Sequence, residues 1–176
     1  MLFDFLTPRI DRLAADGTLR TVHSGSGLGR LLRRPVVLIA RDLCSFSLFQ
    51  TSNLPRNRRL SAAQLHARSA APYSVAGWKL IKTKDDFGIW WWDADRIGAW
   101  LAAANLPGLA PVLCPETLMQ PAHMQREDTW RIVRLAQGYE AQLLRDKSLH
   151  ASAWRASRFD QAAWMSFVRL QRGSQT

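Results

Sequence analysis

The residues that could do chemistry in this chain are spaced in ways that argue against most of it. His23, His66, His123 and His150 are scattered, with no HxH, HExxH or His/Cys ligand spacing, so no metal site is expected. Asp85-Asp86 and Asp93 come nearest to a carboxylate pair for general acid and base work. Adjacent aspartates in KTKDDFG instead make a turn, and Asp93 stands where a helix needs its N-cap. The serines lack the GxSxG elbow of a hydrolase. The glycine-rich stretch Ser24–Arg30 suggests a phosphate loop, but it has no GxxxxGK[ST], and for GxGxxG its third glycine comes one residue early. It reads as a surface loop. Cys44 and Cys114 stand apart without metal or redox spacing, the usage of a reducing compartment with both as small apolar core residues. No enzyme site and no cofactor are therefore expected.

Charge is the chemistry that remains. The net charge is +10, with 20 Arg and 4 Lys against 14 acids. Residues 1–70 carry about +7, residues 71–113 about zero and residues 114–176 about +3. A basic face of this kind suits nucleic acid, an anionic membrane surface or an acidic protein partner. Arg30, Arg33, Arg34, Arg56, Arg58 and Arg59 would form one patch if residues 29–34 and 56–59 meet, which keeps a nucleic-acid-binding domain as the alternative reading. No RNP-like or KH-like signature supports it. No apolar run approaches the ~20 residues of a membrane-spanning helix, and MLFDFLTPRIDR lacks the apolar core of a signal peptide, so the chain reads as cytosolic in character.

The elements that must position these residues centre on Trp78 to Leu113. This stretch reads strand, tight turn, strand, helix, strand, a unit expected to organise a mixed sheet. The run Phe87-Gly88-Ile89-Trp90-Trp91-Trp92 ends at Asp93. Ile97, Trp100, Leu101 and Ala104 then fall on one helical stripe, with Asp95 in the first turn. The three tryptophans read as core on both faces of a sheet.

Earlier in the chain, residues 2–6 read as a short strand, Asp16-Gly17 as a turn and Thr18–Val22 as the next strand. Val36–Ala40 is continuously apolar and reads as the central strand, and Ser45–Thr51 as a strand with Phe46 and Leu48 inward. A basic loop over residues 53–59 leads to a helix over residues 60–71. Arg56, Arg58 and Arg59 would cluster at its entrance, where cations oppose the helix dipole.

Later, a polar link over residues 120–128 precedes a three-stranded meander over 130–135, 141–145 and 149–154, with turns at Gln137-Gly138 and Asp146-Lys147. An amphipathic helix over residues 158–171 closes the chain. The expected division is a first α/β lobe over residues 1–119 and a meander with helix over residues 120–176, packed as one unit.

Four passages carry a resemblance. They are Asp16-Gly17-Thr18-Leu19 running through the glycine-rich segment into PVVLIARD, and Ser47–Pro55 followed by an Arg- and Ala-rich helix. The third is Asp95-Arg96-Ile97-Gly98-Ala99-Trp100-Leu101 leading to Pro115-Glu116, and the last Gly138–Gln142 with Ala151–Trp154. In this order the chain resembles the cytoplasmic domain of the L component of type II secretion systems (GspL-like), which is related to the actin-like M proteins of type IV pilus assembly (PilM-like). Residues 71–77 are short where that family commonly carries a longer acidic helix end.

The resemblance implies a reduced actin-like, ribonuclease H-like domain of mixed α/β class, with the order strand, strand, helix, strand, strand, helix, strand. It implies a non-catalytic docking platform at the cytoplasmic side of the bacterial inner membrane, binding an assembly ATPase and other platform proteins and admitting a homodimer. Nucleotide-binding members hold phosphates on DxG-type turns; here Asp16-Gly17 stands without a second such turn, so no ATP-binding residue is carried over. The expected partner surface is Arg56, Arg58, Arg59, Gln64 and Arg68, on the basic segment and the helix that follows.

Overall fold

The computed structural model describes residues 7–26, 33–106, 109–120 and 128–173. By internal contacts the chain divides into two compact units, Met1–Cys44 with Tyr73–Gly77 and Trp92–Gln120, and Ser45–Pro72 with Trp78–Trp91 and Pro121–Thr176.

The first unit is built on β1 (Ile10–Leu13), β2 (Leu19–His23), β3 (Val36–Ile39) and β7 (Val112–Pro115), in the sheet order β2-β1-β3-β7. β1 and β2 are antiparallel, while β3 runs parallel to both β1 and β7, so the sheet is mixed. β3 is interior and fully apolar, as its composition requires; Val37, Ile39 and Ala40 are completely buried.

The turn between β1 and β2 is held by Asp16, whose carboxylate accepts from the Thr18 amide at 2.9 Å and hydroxyl at 2.7 Å. Those bonds hold the Asp16 carboxyl below its ordinary value. Gly17 takes φ +82, and the Trp100 indole lies where a Cβ would stand. At the same end of the sheet Glu116, just after β7, ties β1 to the chain that follows β3: Arg12 pairs with it at 2.6 Å and the Arg41 amide donates to it at 2.8 Å.

Helix α2 (Ala94–Ala104) leads into β7. Asp93 caps it, accepting from the Arg96 amide at 2.9 Å, and Asn105 ends it in the left-handed region. Ile97 is buried, Trp100 and Leu101 are half-buried, and Ala104 is exposed. The stripe is therefore narrower than its period suggested.

In the second unit, β4 (Cys44–Phe49), β5 (Ala76–Lys82) and β6 (Phe87–Asp93) form a sheet in the order β4-β6-β5, most of whose residues belong to this unit. β6 is central and its first six residues are all buried, including Trp90, Trp91 and Trp92. Helix α1 (Arg56–Ser69) buries Ala63 and Ala67 completely, and the Trp91 indole N–H donates to the Ala67 carbonyl at 2.7 Å. Phe46 meets Trp90 at a ring separation of 4.8 Å, and Phe49 stacks on His66 at 4.3 Å.

β8 (Thr129–Arg134), β9 (Tyr139–Arg145) and β10 (Ser148–Arg155) form the expected antiparallel meander. Ala141, Leu143 and Ala151 of one face pack with Phe159 and with Phe167 of the closing helix α3 (Gln161–Gly173). Trp130 completes an aromatic cluster with Trp164 and Phe167. Glu140 and Gln142 alternate to the other face, fully buried, where Ser152 donates to the Glu140 carboxylate and the Gln142 amide reaches it at 2.8 Å.

Several expectations are corrected. Trp78–Leu113 does not lie in one sheet: β5 and β6 share one, while β7 pairs with β3 in another. β1 replaces nothing that the sequence proposed, since its Asp11 and Arg12 interrupt an apolar pattern. Asp11 is nevertheless fully buried, paired with Arg9 at 2.8 Å and accepting from the Thr21 hydroxyl at 2.8 Å. α1 begins at Arg56 rather than residue 60, because Pro55 with φ −54 sets the entry angle of a helix in place of a polar side-chain cap. α3 begins at Gln161 rather than residue 158, where Asp160 accepts from the Ala163 amide at 2.7 Å. The expected strand over residues 2–6, the glycines Gly27 and Gly29, and most of the link over residues 120–128 lie outside the described residues. Cys44 and Cys114 are buried and not joined in a disulfide, as small apolar core residues should be.

Candidate partner-binding surface

α1 opens with three cations and no acid in its first turn, and no side chain caps it. Charge at this end is unfavourable to the helix, so the fate of each arginine decides what the segment is for. Arg59 is bound within the protein. It donates to the Leu54 carbonyl at 3.0 Å and the Ser52 carbonyl at 3.1 Å, and pairs with Asp85 at 3.1 Å. It thereby fastens the loop before α1 to the turn between β5 and β6. Asp86 strengthens the same junction by accepting from the amides of Thr51 at 2.7 Å and Ser52 at 3.2 Å. The buried Thr51 hydroxyl donates to the Asp85 carbonyl at 2.7 Å.

Arg56, Arg58, Gln64 and Arg68 are exposed, and no side-chain bond ties them to other described residues. Arg56, Leu60, Gln64 and Arg68 succeed one another at i+4 and form a single ridge along α1. Arg58 lies roughly 200° around the helix from Arg56, at about 100° per residue. Two leucines of the helix also face solvent: Leu60 is 51% exposed and Leu65 67%. The structure thus brings four of the five expected residues to the helix surface, and gives Arg59 an internal role.

Beside the ridge runs an open groove of about 520 Å³, lined by Arg56, Arg59, Leu60, Lys82, Lys84, Asp85, Asp86 and Phe87. Lys82, Lys84 and Leu60 were not singled out from the sequence. The available signal was the charge-rich turn KTKDD, whose lysines directly precede the aspartates that anchor the groove's wall.

Among the described residues no group of three or more His, Cys, Asp or Glu could hold a metal ion. Arg33 and Arg34 belong to the first unit, where Arg34 donates to the Ala110 carbonyl at 2.8 Å, while Arg56 to Arg59 belong to the second. Arg30 and His123 lie outside the described residues. His23 is exposed on β2, and His66 is engaged by Phe49.

His150 lines a smaller hollow with Phe46, Leu48, Gln50, Ser152 and Gln171. Burial, with the Arg145 guanidinium adding to it, holds its imidazole below the ordinary value, against the raising influence of Asp86, Asp128 and Asp146. The unfolded chain therefore takes up a proton near pH ~6.5 that the folded chain resists. The stability that His150 contributes is present above that pH and is lost as the pH falls toward the lower folded value. Replacing His150 with Gln is expected to flatten the fall of Tm between pH 7 and pH 5, followed by circular dichroism; identical slopes for the two proteins would refute this.

No protein-family model and no curated protein matches the chain. Among solved structures it is similar to a Bacteroides thetaiotaomicron protein with an actin-like ATPase fold and unknown function. That likeness has a TM-score of 0.52 and 10% identity, covering 98% of this chain and 79% of the other. The fold is actin-like. The mixed sheet of the first unit is in keeping with it. The chain is also similar to the cytoplasmic domain of EpsL, an inner membrane component of the type II secretion system of Vibrio cholerae, with a TM-score of 0.48 and 15% identity over 92% of this chain and 74% of that one. Among the described residues no helix is long and apolar enough to cross a membrane.

Proposed function

We propose that this chain is a non-catalytic docking domain of a bacterial secretion or pilus-type assembly platform, acting at the cytoplasmic face of the inner membrane and recruiting an assembly ATPase. The four matched sequence passages, laid on an actin-like fold, support the family side of this reading. The observation that carries the docking side is α1. This helix opens on cations against its own dipole and leaves Arg56, Arg58 and Arg68 without internal partners among the described residues, while Leu60 and Leu65 face solvent. A binding helix supplies charge for orientation and apolar contacts for affinity in this way. The carboxylates weighed for catalysis have other duties: Asp85 pairs with Arg59, Asp86 binds two amides and Asp93 caps α2.

The test is capture of the cognate assembly ATPase by the immobilised domain. Charge reversal at Arg56, Arg58 and Arg68 together is expected to reduce capture by about ten-fold or more. Arg59 is left intact because its substitution would loosen the loop before α1. Undiminished capture by a folded triple variant would remove this surface from the reading.

A further inference from the structure

We infer that the groove beside α1 receives an acidic segment of a partner protein that also carries a bulky apolar side chain; this rests on the docking reading and specifies its ligand. The groove lining holds four cations and two carboxylates. Both carboxylates are already engaged, Asp86 by the Thr51 and Ser52 amides and Asp85 by Arg59. Lys84 lies 3.6 Å from Asp146, but those side chains are 74% and 59% exposed, and a pair so hydrated holds its cation weakly. Arg56 and Lys82 are exposed and have no side-chain partner among the described residues. The unbalanced charge of the groove is therefore positive, and its donors stand on two different elements, α1 and the end of β5. Carboxylates from one bound segment can span them, with charge-assisted bonds supplying strength.

Leu60 supplies the apolar contact. It lines the groove while half exposed, over a wall that includes Phe87. An apolar side chain seated against Leu60 would lose water that the free domain leaves in contact with both. These features favour a peptide over a nucleic acid. Phe87 is only 7% exposed and offers no face for base stacking.

The experiment measures fluorescence anisotropy of a labelled twelve-residue peptide containing five glutamates and two leucines. The comparison peptides replace Glu by Gln in one case and Leu by Ser in the other. The wild-type domain is expected to bind the parent peptide at least about ten-fold more tightly than either comparison peptide. The Arg56→Glu/Lys82→Glu variant, its fold verified by circular dichroism, is expected to lose about the same factor, and Arg56→Gln/Lys82→Gln a smaller one.

Equal binding of parent and Gln peptides, no binding of the parent peptide, or an unchanged affinity of the variants would overturn the inference. So would binding of a labelled oligothymidylate in preference to the peptide. Capture of the assembly ATPase separates this inference from the reading beneath it. If peptide binding fails and capture by the wild-type domain persists, the groove assignment falls and the docking function stands. If the peptide binds as expected and the ATPase is not captured, the ligand class stands and the choice of partner falls.

Discussion

Trp91→Ala is expected to lower the stability of the protein by about 3–5 kcal/mol, a fall in Tm on the order of 10 °C for a chain of this size. Trp91 is 4% exposed on the central strand β6, and its indole N–H donates to the carbonyl of Ala67 in the buried face of α1. Truncation removes the bulk between sheet and helix and leaves that carbonyl without the indole donor. The two losses can be separated. Trp91→Phe retains most of the packing and gives up the hydrogen bond, so it should cost only about 1–2 kcal/mol. Thermal melts by circular dichroism read both variants. If alanine were tolerated as well as phenylalanine, Trp91 would not be holding α1 to the sheet.

Gly77→Ala should be nearly as damaging, for an opposite reason. Gly77 lies against the Trp92 indole so closely that an added Cβ would overlap Nε1 and Cε2 and stand 2.8 Å from Cδ1. Trp92 is 6% exposed, so the ring has little room to withdraw. Overpacking of this kind costs about 3 kcal/mol. The double variant Gly77→Ala/Trp92→Leu supplies the decisive comparison. If the indole is the obstacle, alanine at position 77 becomes nearly neutral once Trp92 is gone, and the two effects are strongly non-additive. Additive losses in the melts would place the cost elsewhere in the backbone.

The sequence made visible those elements whose physics is local. Val36–Ile39 is apolar throughout because it is interior to a sheet, and the tryptophan run is buried on both faces for the same reason. Asp93 announced its helix by standing between a strand period and a helical one. What stayed hidden depends on partners distant along the chain. β1 carries a buried Asp11 that is tolerable only because Thr21 and Arg9 satisfy it, and IDRL alone gives no sign of this. The start of α1 was obscured because three arginines at a helix N-terminus look like a loop. The reason Arg59 belongs there is a set of acceptors at Ser52, Leu54 and Asp85. The proposed partner surface was half legible: Gln64 and Arg68 could be read on one helix, Arg56 only in the loop before it, and Lys82 joins them only through the fold.

The consecutive tryptophans have a practical consequence. The boundary between the two compact units falls after Trp91, so Trp92 is grouped with Trp100, while Trp78, Trp90, Trp91, Trp130, Trp154 and Trp164 are grouped in the second unit. Six of eight natural chromophores therefore report on one unit. Intrinsic emission will follow the unfolding of the second unit far more than that of the first, whereas circular dichroism weighs the backbone of both. A difference between the two melting curves would measure whether the units unfold together, with no label attached.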